Sequence, residues 1–294
     1  MNDWNKLYTR AENLLSRLEG LLRGEKPEPD WNSAVAFRWR KYGRTEGFIQ
    51  PVAHPHRISW ESLRGIDTQK NAIDQNTHQF VQGRPANNVL LTGARGTGKS
   101  SLVKTMLTKY AAAGLRLIEV QKHDLTDLHD IADQIHQRPE RFIIYCDDLS
   151  FESGELGYKA LKAVLDGSIT ASSDNALIYA TSNRRHLMPE FMQENRDARH
   201  IGNEIHPSEA VEEKVSLSER FGLWVSFYPF DQDQYLDAVT QWLNYHGIVK
   251  ITPAVRKAAL QWALGRGSRS GRVAWQFACD WAGKAGQYEK SASP

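Results

Sequence analysis

The sequence predicts an α/β fold with a mostly parallel sheet, followed by a small helical domain. From residue 58 to Pro229, short apolar runs alternate with segments of helical periodicity. This alternation is typical of parallel sheets with helices on their faces. Beyond Pro229 only helical periodicity remains. We therefore expect an N-terminal extension (1–57), an α/β core (58–230) and a helical C-terminal domain (231–294).

Five apolar runs have the length and composition of buried strands, which predicts a five-stranded parallel sheet. They are Asn88–Thr92, Leu115–Val120, Arg141–Cys146, Ala176–Ala180 and Leu223–Phe227. Between them the spacing predicts helices over 102–110, over 125–135 with Asp124 or Thr126 as its cap, and over 156–165. Three further helices are expected over 235–243, 255–263 and 273–281.

The first 57 residues are harder to interpret. Leucines between residues 7 and 22 line one face of an amphipathic helix over 1–24, and two prolines in 26–30 indicate a linker. Residues 31–56 show no clear secondary structure. Within them, Phe37–Tyr42 alternates aromatic and basic residues, which makes it the best candidate surface for single-stranded nucleic acid or a protein partner. The nine tryptophans are otherwise expected in the core and at domain contacts.

The composition excludes several classes of protein. The 294 residues carry 37 Lys and Arg against 35 Asp and Glu, a net charge of +2, which argues against a protein that coats nucleic acid. Nucleic acid is therefore not favoured as a partner. No apolar run reaches the roughly 18 residues of a membrane span, and charges interrupt the first 22 residues, so we expect a cytoplasmic protein. Cys146 and Cys279 form neither a disulfide framework nor a zinc spacing, and His54 and His56 alone make an incomplete metal site.

A phosphate-binding loop follows the first core strand. The segment reads Gly93-Ala94-Arg95-Gly96-Thr97-Gly98-Lys99-Ser100-Ser101. In this pattern glycines let successive backbone N–H groups point at a phosphate, the lysine reaches the β and γ oxygens, and the serine binds magnesium. Its place between a strand and a helix is the one the mechanism requires. We therefore expect ATP and Mg²⁺ to bind here.

Two acids follow the strand 141–146. Asp147 is expected to hold magnesium through water, and Asp148 to orient the attacking water as a general base, because the strand's carboxyl end lies beside the phosphate loop. Taken alone, such a pair equally fits the cap of the next helix. The phosphate loop favours the metal-binding interpretation.

Together with Ala180-Thr181-Ser182-Asn183-Arg184 and the helical C-terminal domain, these motifs resemble an AAA+ ATPase. More closely, the stretch from about residue 58 to residue 277 resembles the uncharacterised bacterial family DUF815. The text that carries this resemblance is Gly65-Ile66-Asp67-Thr68-Gln69-Lys70, Pro85-Ala86-Asn87-Asn88, the phosphate loop, Cys146-Asp147-Asp148-Leu149-Ser150-Phe151, Ile205-His206-Pro207 and Leu217-Ser218-Glu219-Arg220-Phe221-Gly222. The resemblance implies an AAA+ αβα sandwich with a C-terminal helical lid.

The resemblance also implies roles for individual residues. Asn183 matches the sensor 1 position, and Arg220 matches the arginine finger that reaches the nucleotide of a neighbouring subunit, which implies a homo-oligomer. Arg272 matches the sensor 2 arginine of the lid, with Arg269 as the competing candidate. Many AAA+ proteins have Glu where Asp148 stands, which suggests slow turnover, and Glu152 is easily mistaken for that base.

The sequence therefore predicts an ATPase that couples turnover to remodelling of a protein partner it does not identify. The alternative is a nucleotide-gated module for binding DNA or protein, similar to a helicase loader or initiator, with little hydrolysis. A small-molecule kinase also begins with a phosphate loop, but no acceptor site is recognisable here and the lid residues argue against it.

Overall fold

The computed structural model describes residues 29–42, 46–56, 58–151, 155–167, 174–184, 187, 199–201, 204–206 and 217–291. The helix predicted over 1–24 and Glu152 lie outside these residues. The strands are β1 (Ala36–Tyr42), β2 (Glu46–Pro51), β3 (Val89–Gly93), β4 (Leu115–Val120), β5 (Arg141–Cys146), β6 (Ala176–Ser182), β7 (Arg199–Ile201), β8 (Glu204–His206) and β9 (Leu223–Phe227). The α-helices are α1 (Asp67–Val81), α2 (Lys99–Tyr110), α3 (Leu128–Ile135), α4 (Leu156–Leu165), α5 (Gln232–Tyr245), α6 (Pro253–Gly265) and α7 (Gly271–Ser291).

One sheet organises the core, with the strand order β2-β1-β4-β5-β6-β3-β9. The five predicted strands lie next to one another in this sheet as β4-β5-β6-β3-β9, and all are parallel, so the predicted α/β fold is confirmed. Because all five run the same way, their carboxyl ends meet at one edge, where open α/β sheets bind ligands. The prediction of five strands was wrong in number, since the described residues form a sheet of seven.

The two additional strands form a hairpin in the segment without clear periodicity. Strand β1 lies parallel to β4, and β2 pairs antiparallel with β1, opposing Ile49 to Trp39. Along β1 the side chains alternate between faces, so Phe37 and Trp39 are buried while Arg38 points away from the core. The alternation of aromatic and basic residues is therefore that of a half-buried strand.

The same geometry corrects the interpretation of Phe37–Tyr42 as a stacking surface. The buried rings of Phe37 and Trp39 offer no face to a nucleobase. Two of the three cations are also paired: Arg38 bonds Glu119 at 2.8 Å, and Lys41 bonds Asp127 at 2.8 Å. Asp127 also accepts a 2.8 Å hydrogen bond from the Trp39 indole. The hairpin is thus fastened to the core by its side chains.

The prediction that Asp124 or Thr126 caps helix α3 was wrong. A 3₁₀ turn, Lys122–Asp127, precedes the helix, so its N-cap is Asp127 rather than Asp124 or Thr126. The Asp127 side chain makes no capping hydrogen bond, because it binds Trp39 and Lys41 instead. Asp124 is buried within the turn, 3.5 Å from the Lys41 ammonium.

Helices cover both faces of the sheet. Helices α1 and α2 pack on one face and α3 and α4 on the other, and buried residues of the lid join the hydrophobic cluster that contains α1 and α2. Strand β5 is buried on both faces from Phe142 to Cys146, which explains its continuous apolar sequence. Both cysteines are free thiols, and burial raises the pKa of Cys146 to about 12.

The predicted C-terminal helices are α5, α6 and α7. Helix α5 begins with a capping box in which Asp231 and Gln234 bond each other's backbone N–H groups. Helix α6 begins with the Thr252 cap followed by Pro253. None of the helices in the described part of the chain combines the length and hydropathy needed to span a bilayer.

Replacing Trp39 tests whether the hairpin is part of the cooperative core. We expect Trp39→Ala to lower the free energy of unfolding by about 3–5 kcal/mol, because it empties a fully buried indole site and removes the indole hydrogen bond to Asp127. Arg40→Ala, at an exposed position of the same strand, is the control and should change stability by less than about 0.5 kcal/mol. Urea titration followed by circular dichroism measures both. Equal midpoints for the two variants would show that the hairpin contributes nothing to the core.

Candidate functional site

The phosphate loop runs from the end of β3 to the start of α2. Gly93, Gly96 and Gly98 all have positive φ, at 129°, 77° and 100°. Non-glycine residues rarely adopt these conformations. A Cβ at Gly93 would also lie 1.9 Å from the carbonyl oxygen of Phe227. The glycines are therefore required by the curl of the loop and by its contact with β9.

Lys99 is the first residue of α2 and is 6% exposed. Its ammonium donates hydrogen bonds to the carbonyl oxygens of Gly93 and Ala94, both at 2.7 Å, and to Oδ1 of Asn183 at 3.0 Å. Burial lowers the pKa of Lys99 to about 8, although the charges of Asp148 and Asp147 act in the opposite direction. Because burial disfavours the charged form of Lys99, an anion bound beside it would stabilise that form.

Ser100 and Asp147 lie side by side. The Ser100 hydroxyl donates to Oδ1 of Asp147 at 2.7 Å, and Thr181 at the end of β6 donates to the same oxygen at 2.5 Å. Burial works to raise the pKa of Asp147, but hydrogen bonds from Thr181 and Ser100 outweigh it and hold that pKa below its usual range. The carboxylate is therefore ionised at neutral pH.

This pair fits a magnesium ion by the chemistry of its donors. Magnesium prefers oxygen ligands and is usually held by one or two protein groups together with waters and substrate phosphates. A hydroxyl and an ionised carboxylate beside a phosphate loop are such a set. Among the described residues, no group of three or more His, Cys, Asp and Glu side chains forms an alternative metal site.

Asp148 follows directly and has a left-handed backbone, with φ of 53°. Its N–H donates to Oγ1 of Thr181 at 2.9 Å, which fixes this conformation. The amide nitrogen of Asn183 donates to the Asp148 carboxylate, while the amide oxygen of the same residue accepts from Lys99. Asn183 therefore links the phosphate-loop lysine to the expected water-orienting carboxylate.

The lid closes over the loop through the start of α7. The N–H of Arg272 donates to the carbonyl oxygen of Gly96 at 3.3 Å, and the Arg272 side chain lines the same cavity as the loop. Arg269, by contrast, is not among the described residues that line the cavity. Its carbonyl oxygen accepts a hydrogen bond from the N–H of Phe230. Of the two sensor 2 candidates, the structure brings Arg272 to the phosphate loop.

Arg220 lies elsewhere. It follows a helical turn at 217–219 and forms an ion pair with Asp166, at the C-cap of α4. It is not among the described residues that line the cavity of its own chain. The structure therefore does not bring Arg220 to the site formed by Lys99, Ser100, Asp147, Asp148 and Asn183.

The cavity has a volume of about 1080 Å³ and extends beyond the residues that the sequence motifs identify. Its further lining falls into two groups, one preceding α1 and one in or beside the lid. The first is His56, Ile58, Ser59, Ser62, Leu63, Arg64 and Ile66; the second is Phe230, Ala238, Gln241, Trp242, Tyr245, Gly271 and Trp275. The one sequence signal for the second group is Trp275, which is spaced three residues after Arg272 on α7.

Comparison with known proteins identifies the family and the fold. The family described as a protein of unknown function, DUF815, matches residues 32–285. A search of the curated proteins finds no match to this sequence. Among solved structures, the AAA domain of FIGL-1 in complex with ADP has a TM-score of 0.51 and 18% identity, over 76% of this chain and 73% of that one.

Two further structures have the same TM-score of 0.51. A variant of RuvB from Thermotoga maritima is 15% identical over 75% of this chain and 62% of its own. ORC1 from Aeropyrum pernix, solved in complex with DNA, is 13% identical over 72% of this chain and 58% of its own. This chain thus spans less than two thirds of the RuvB and ORC1 chains that it matches. Because the DUF815 match covers well over half of the sequence, the chain belongs to the DUF815 family, and its fold is that of an AAA+ P-loop ATPase.

Proposed function

We propose that this protein binds ATP with Mg²⁺ and hydrolyses it to ADP and phosphate, and that it uses the turnover to remodel a partner protein. The observation that carries the proposal is the convergence of Lys99, Ser100, Asp147, Asp148 and Asn183 at the carboxyl ends of β3, β5 and β6. Phosphoryl transfer needs positioning and charge stabilisation more than covalent chemistry. These residues supply both.

The roles follow from the contacts. The backbone N–H groups of the loop and the Lys99 ammonium would bind the phosphates, and Ser100 and Asp147 would hold a magnesium ion, which would supply positive charge beside the phosphates. Asp148, held by Asn183 and exposed beside Asp147, orients water for in-line attack. Arg272 adds a cation from the lid, where charge spreads over the transferred phosphoryl group.

The position of Arg220 supports an assembled enzyme. An arginine finger that acts on a neighbouring subunit is not expected to line the nucleotide cavity of its own chain. Arg220 is not among the described residues that line that cavity. The ion pair with Asp166 holds the guanidinium near the end of α4. We propose that in a homo-oligomer this end of α4 faces the nucleotide of the next subunit.

A second candidate function is a nucleotide-gated binding module with little hydrolysis. The shorter carboxylate at Asp148 favours it, because a base held further from the phosphate orients water less effectively. In that case ATP would set the position of the lid without frequent turnover. Measured turnover separates the two candidates.

Replacing Asp148 tests the catalytic assignment. Asp148→Asn removes the negative charge but keeps the shape, so ATP hydrolysis should fall by about 10²- to 10⁴-fold while the Kd for Mg·ATP changes by less than about threefold. Phosphate release and calorimetric binding measure these quantities. Asp133→Asn, at an exposed position of α3, is the matched control. Full hydrolysis by the Asp148 variant would exclude this residue as the base.

The pKa of Lys99 predicts how nucleotide affinity depends on pH. Only the ammonium form attracts phosphate, and in the free protein its pKa is about 8. Bound phosphate raises that pKa, so affinity for Mg·ATP should be constant below about pH 7 and should fall by up to tenfold per pH unit above about pH 8. Lys99→Arg keeps its charge throughout this range and should give a flatter profile. Identical profiles for wild type and variant would show that Lys99 does not titrate as expected.

Replacing Arg220 tests the shared site. The ATPase rate per subunit of the wild type should rise with protein concentration as oligomers form, and Arg220→Ala should assemble and bind ATP but hydrolyse it about 10³-fold more slowly or worse. Light scattering on the same samples gives the mass. Arg256→Ala, at an exposed position of α6, is the control. A rate independent of concentration, unchanged in the Arg220 variant, would show that the protein works as a monomer.

A further inference from the structure

Tyr145 of β5 is a buried polar residue with no role in the proposed function. Its side chain is fully buried, in the same hydrophobic cluster as Leu102 and Val103 of α2. Side chains alternate between the two faces of an extended chain, so Asp147, two residues further on, follows Tyr145 on the same face. Helix α2 also carries Ser100 in its first turn. The ring of Tyr145 therefore lies in the core directly before the Ser100–Asp147 pair.

The Tyr145 hydroxyl is close to that pair and keeps its proton. Burial raises the pKa of Tyr145, and the side chains of Asp147, Ser100 and Thr181 also act on it. Tyr145 is in turn one of the groups that hold the pKa of Asp147 below its usual range against the effect of burial. These mutual effects require short distances. At neutral pH the hydroxyl is therefore a protonated donor beside the expected magnesium ligands.

This donor is not used. The Tyr145 oxygen is shielded from solvent and makes no hydrogen bond of standard geometry within the described part of the chain. Oδ1 of Asp147 already accepts from Ser100 at 2.7 Å and from Thr181 at 2.5 Å. Because a carboxylate oxygen has two lone pairs, those two hydroxyls fill the hydrogen-bonding positions of Oδ1. Tyr145 is thus an additional donor next to an acceptor that is already occupied.

The paired position on the next strand shows the usual arrangement for a buried tyrosine. Tyr179 of β6 lies opposite Tyr145 in the sheet and is equally buried. Its hydroxyl accepts from the amide of Asn76 at 3.0 Å and lies 2.8 Å from the hydroxyl of Thr77. A buried hydroxyl without a partner costs stability, and phenylalanine would fill the same space without that cost. The hydroxyl of Tyr145 therefore calls for an explanation beyond packing.

We propose that Tyr145 is a positioning residue for the magnesium site: its hydroxyl is a reserve donor that bonds Asp147 when the Ser100 hydroxyl turns from that carboxylate to a metal ion. The inference rests on the proposed function and adds a residue to its metal site. Asp147 then keeps two hydrogen bonds, from Thr181 and Tyr145, after Ser100 has turned away. Hydrogen bonds of this kind orient a metal ligand and tune its affinity.

The test measures how much Mg²⁺ tightens nucleotide binding, which separates the metal site from the phosphate loop. Calorimetry on the full chain gives the Kd of the non-hydrolysable ATP analogue AMP-PNP in excess EDTA and in excess Mg²⁺. Tyr145→Phe removes only the hydroxyl. Binding in EDTA should stay within about twofold of the wild type, whereas the tightening by Mg²⁺ should fall about tenfold. The nucleotide-free variant should unfold at the wild-type temperature or up to about 4 °C above it, because an unpaired buried group is gone.

Tyr179→Phe is the matched control, because it makes the same change at the paired position of β6. It should lower the unfolding temperature by about 2–4 °C, since it removes the hydrogen bonds to Asn76 and Thr77. Its tightening by Mg²⁺ should stay within about twofold of the wild type.

Three results would overturn the role of Tyr145. They are full tightening by Mg²⁺ in Tyr145→Phe, an equal loss of tightening in both variants, and a drop in unfolding temperature in Tyr145→Phe as large as that in Tyr179→Phe. The last would show that the hydroxyl is an ordinary structural hydrogen-bond partner. A wild-type protein that does not bind AMP-PNP, or binds it no more tightly with Mg²⁺, would instead overturn the proposed function itself.

Discussion

The site depends on a buried ammonium group to which none of the carboxylates in the described part of the chain is bonded. Lys99 is held by two backbone carbonyls of its own loop and by the amide oxygen of Asn183. Carbonyl dipoles offset only part of the cost of burying a charge, which is why the pKa of Lys99 falls to about 8. The nearby acids do not form ion pairs with Lys99: Asp147 is bonded by Ser100 and Thr181, and Asp148 by Asn183. Lys99 is therefore not neutralised by an ion pair with either acid, and a bound triphosphate would provide the negative charge that it lacks.

The rest of the architecture holds these groups in register. Asn183 can link Lys99 to Asp148 because β3, β6 and β5 are adjacent and parallel, so their carboxyl ends lie at one edge. Trp60, just before α1, connects this core to the lid: the ammonium groups of Lys70 and Lys109 lie 4.5 and 4.6 Å from its ring. The next residue, Glu61, accepts a hydrogen bond from Gln241 of α5. The lid is therefore hydrogen-bonded directly to the segment before α1, which also lines the cavity.

The parts predicted from the sequence were those that local spacing determines. The bounds of β4, β5 and β9 were correct, and the loop motif and the paired acids lie where their neighbouring strands end. The hairpin β1–β2 was missed because its alternation of aromatic and basic residues does not by itself indicate a strand. It is explained only by the contacts of β1 with β4 and Asp127, which are distant in the sequence. For the same reason Trp275 was passed over. The spacing from Arg272 was visible in the sequence, but the aromatic residues of α5 that surround Trp275 are about 30 residues away along the chain.

Asp148 stands where many AAA+ proteins have Glu, and its backbone conformation determines where this shorter side chain places its carboxylate. A shorter side chain places its carboxylate closer to the main chain, so the direction of the backbone decides where the charge lies. At Asp148 that direction is set by a left-handed conformation, uncommon for a residue other than glycine, and by the hydrogen bond from its N–H to Thr181. Thr181 also bonds Asp147. One threonine on β6 therefore positions both acids. The position of Asp148, the proposed base, is therefore coupled through Thr181 to that of Asp147, the proposed magnesium ligand.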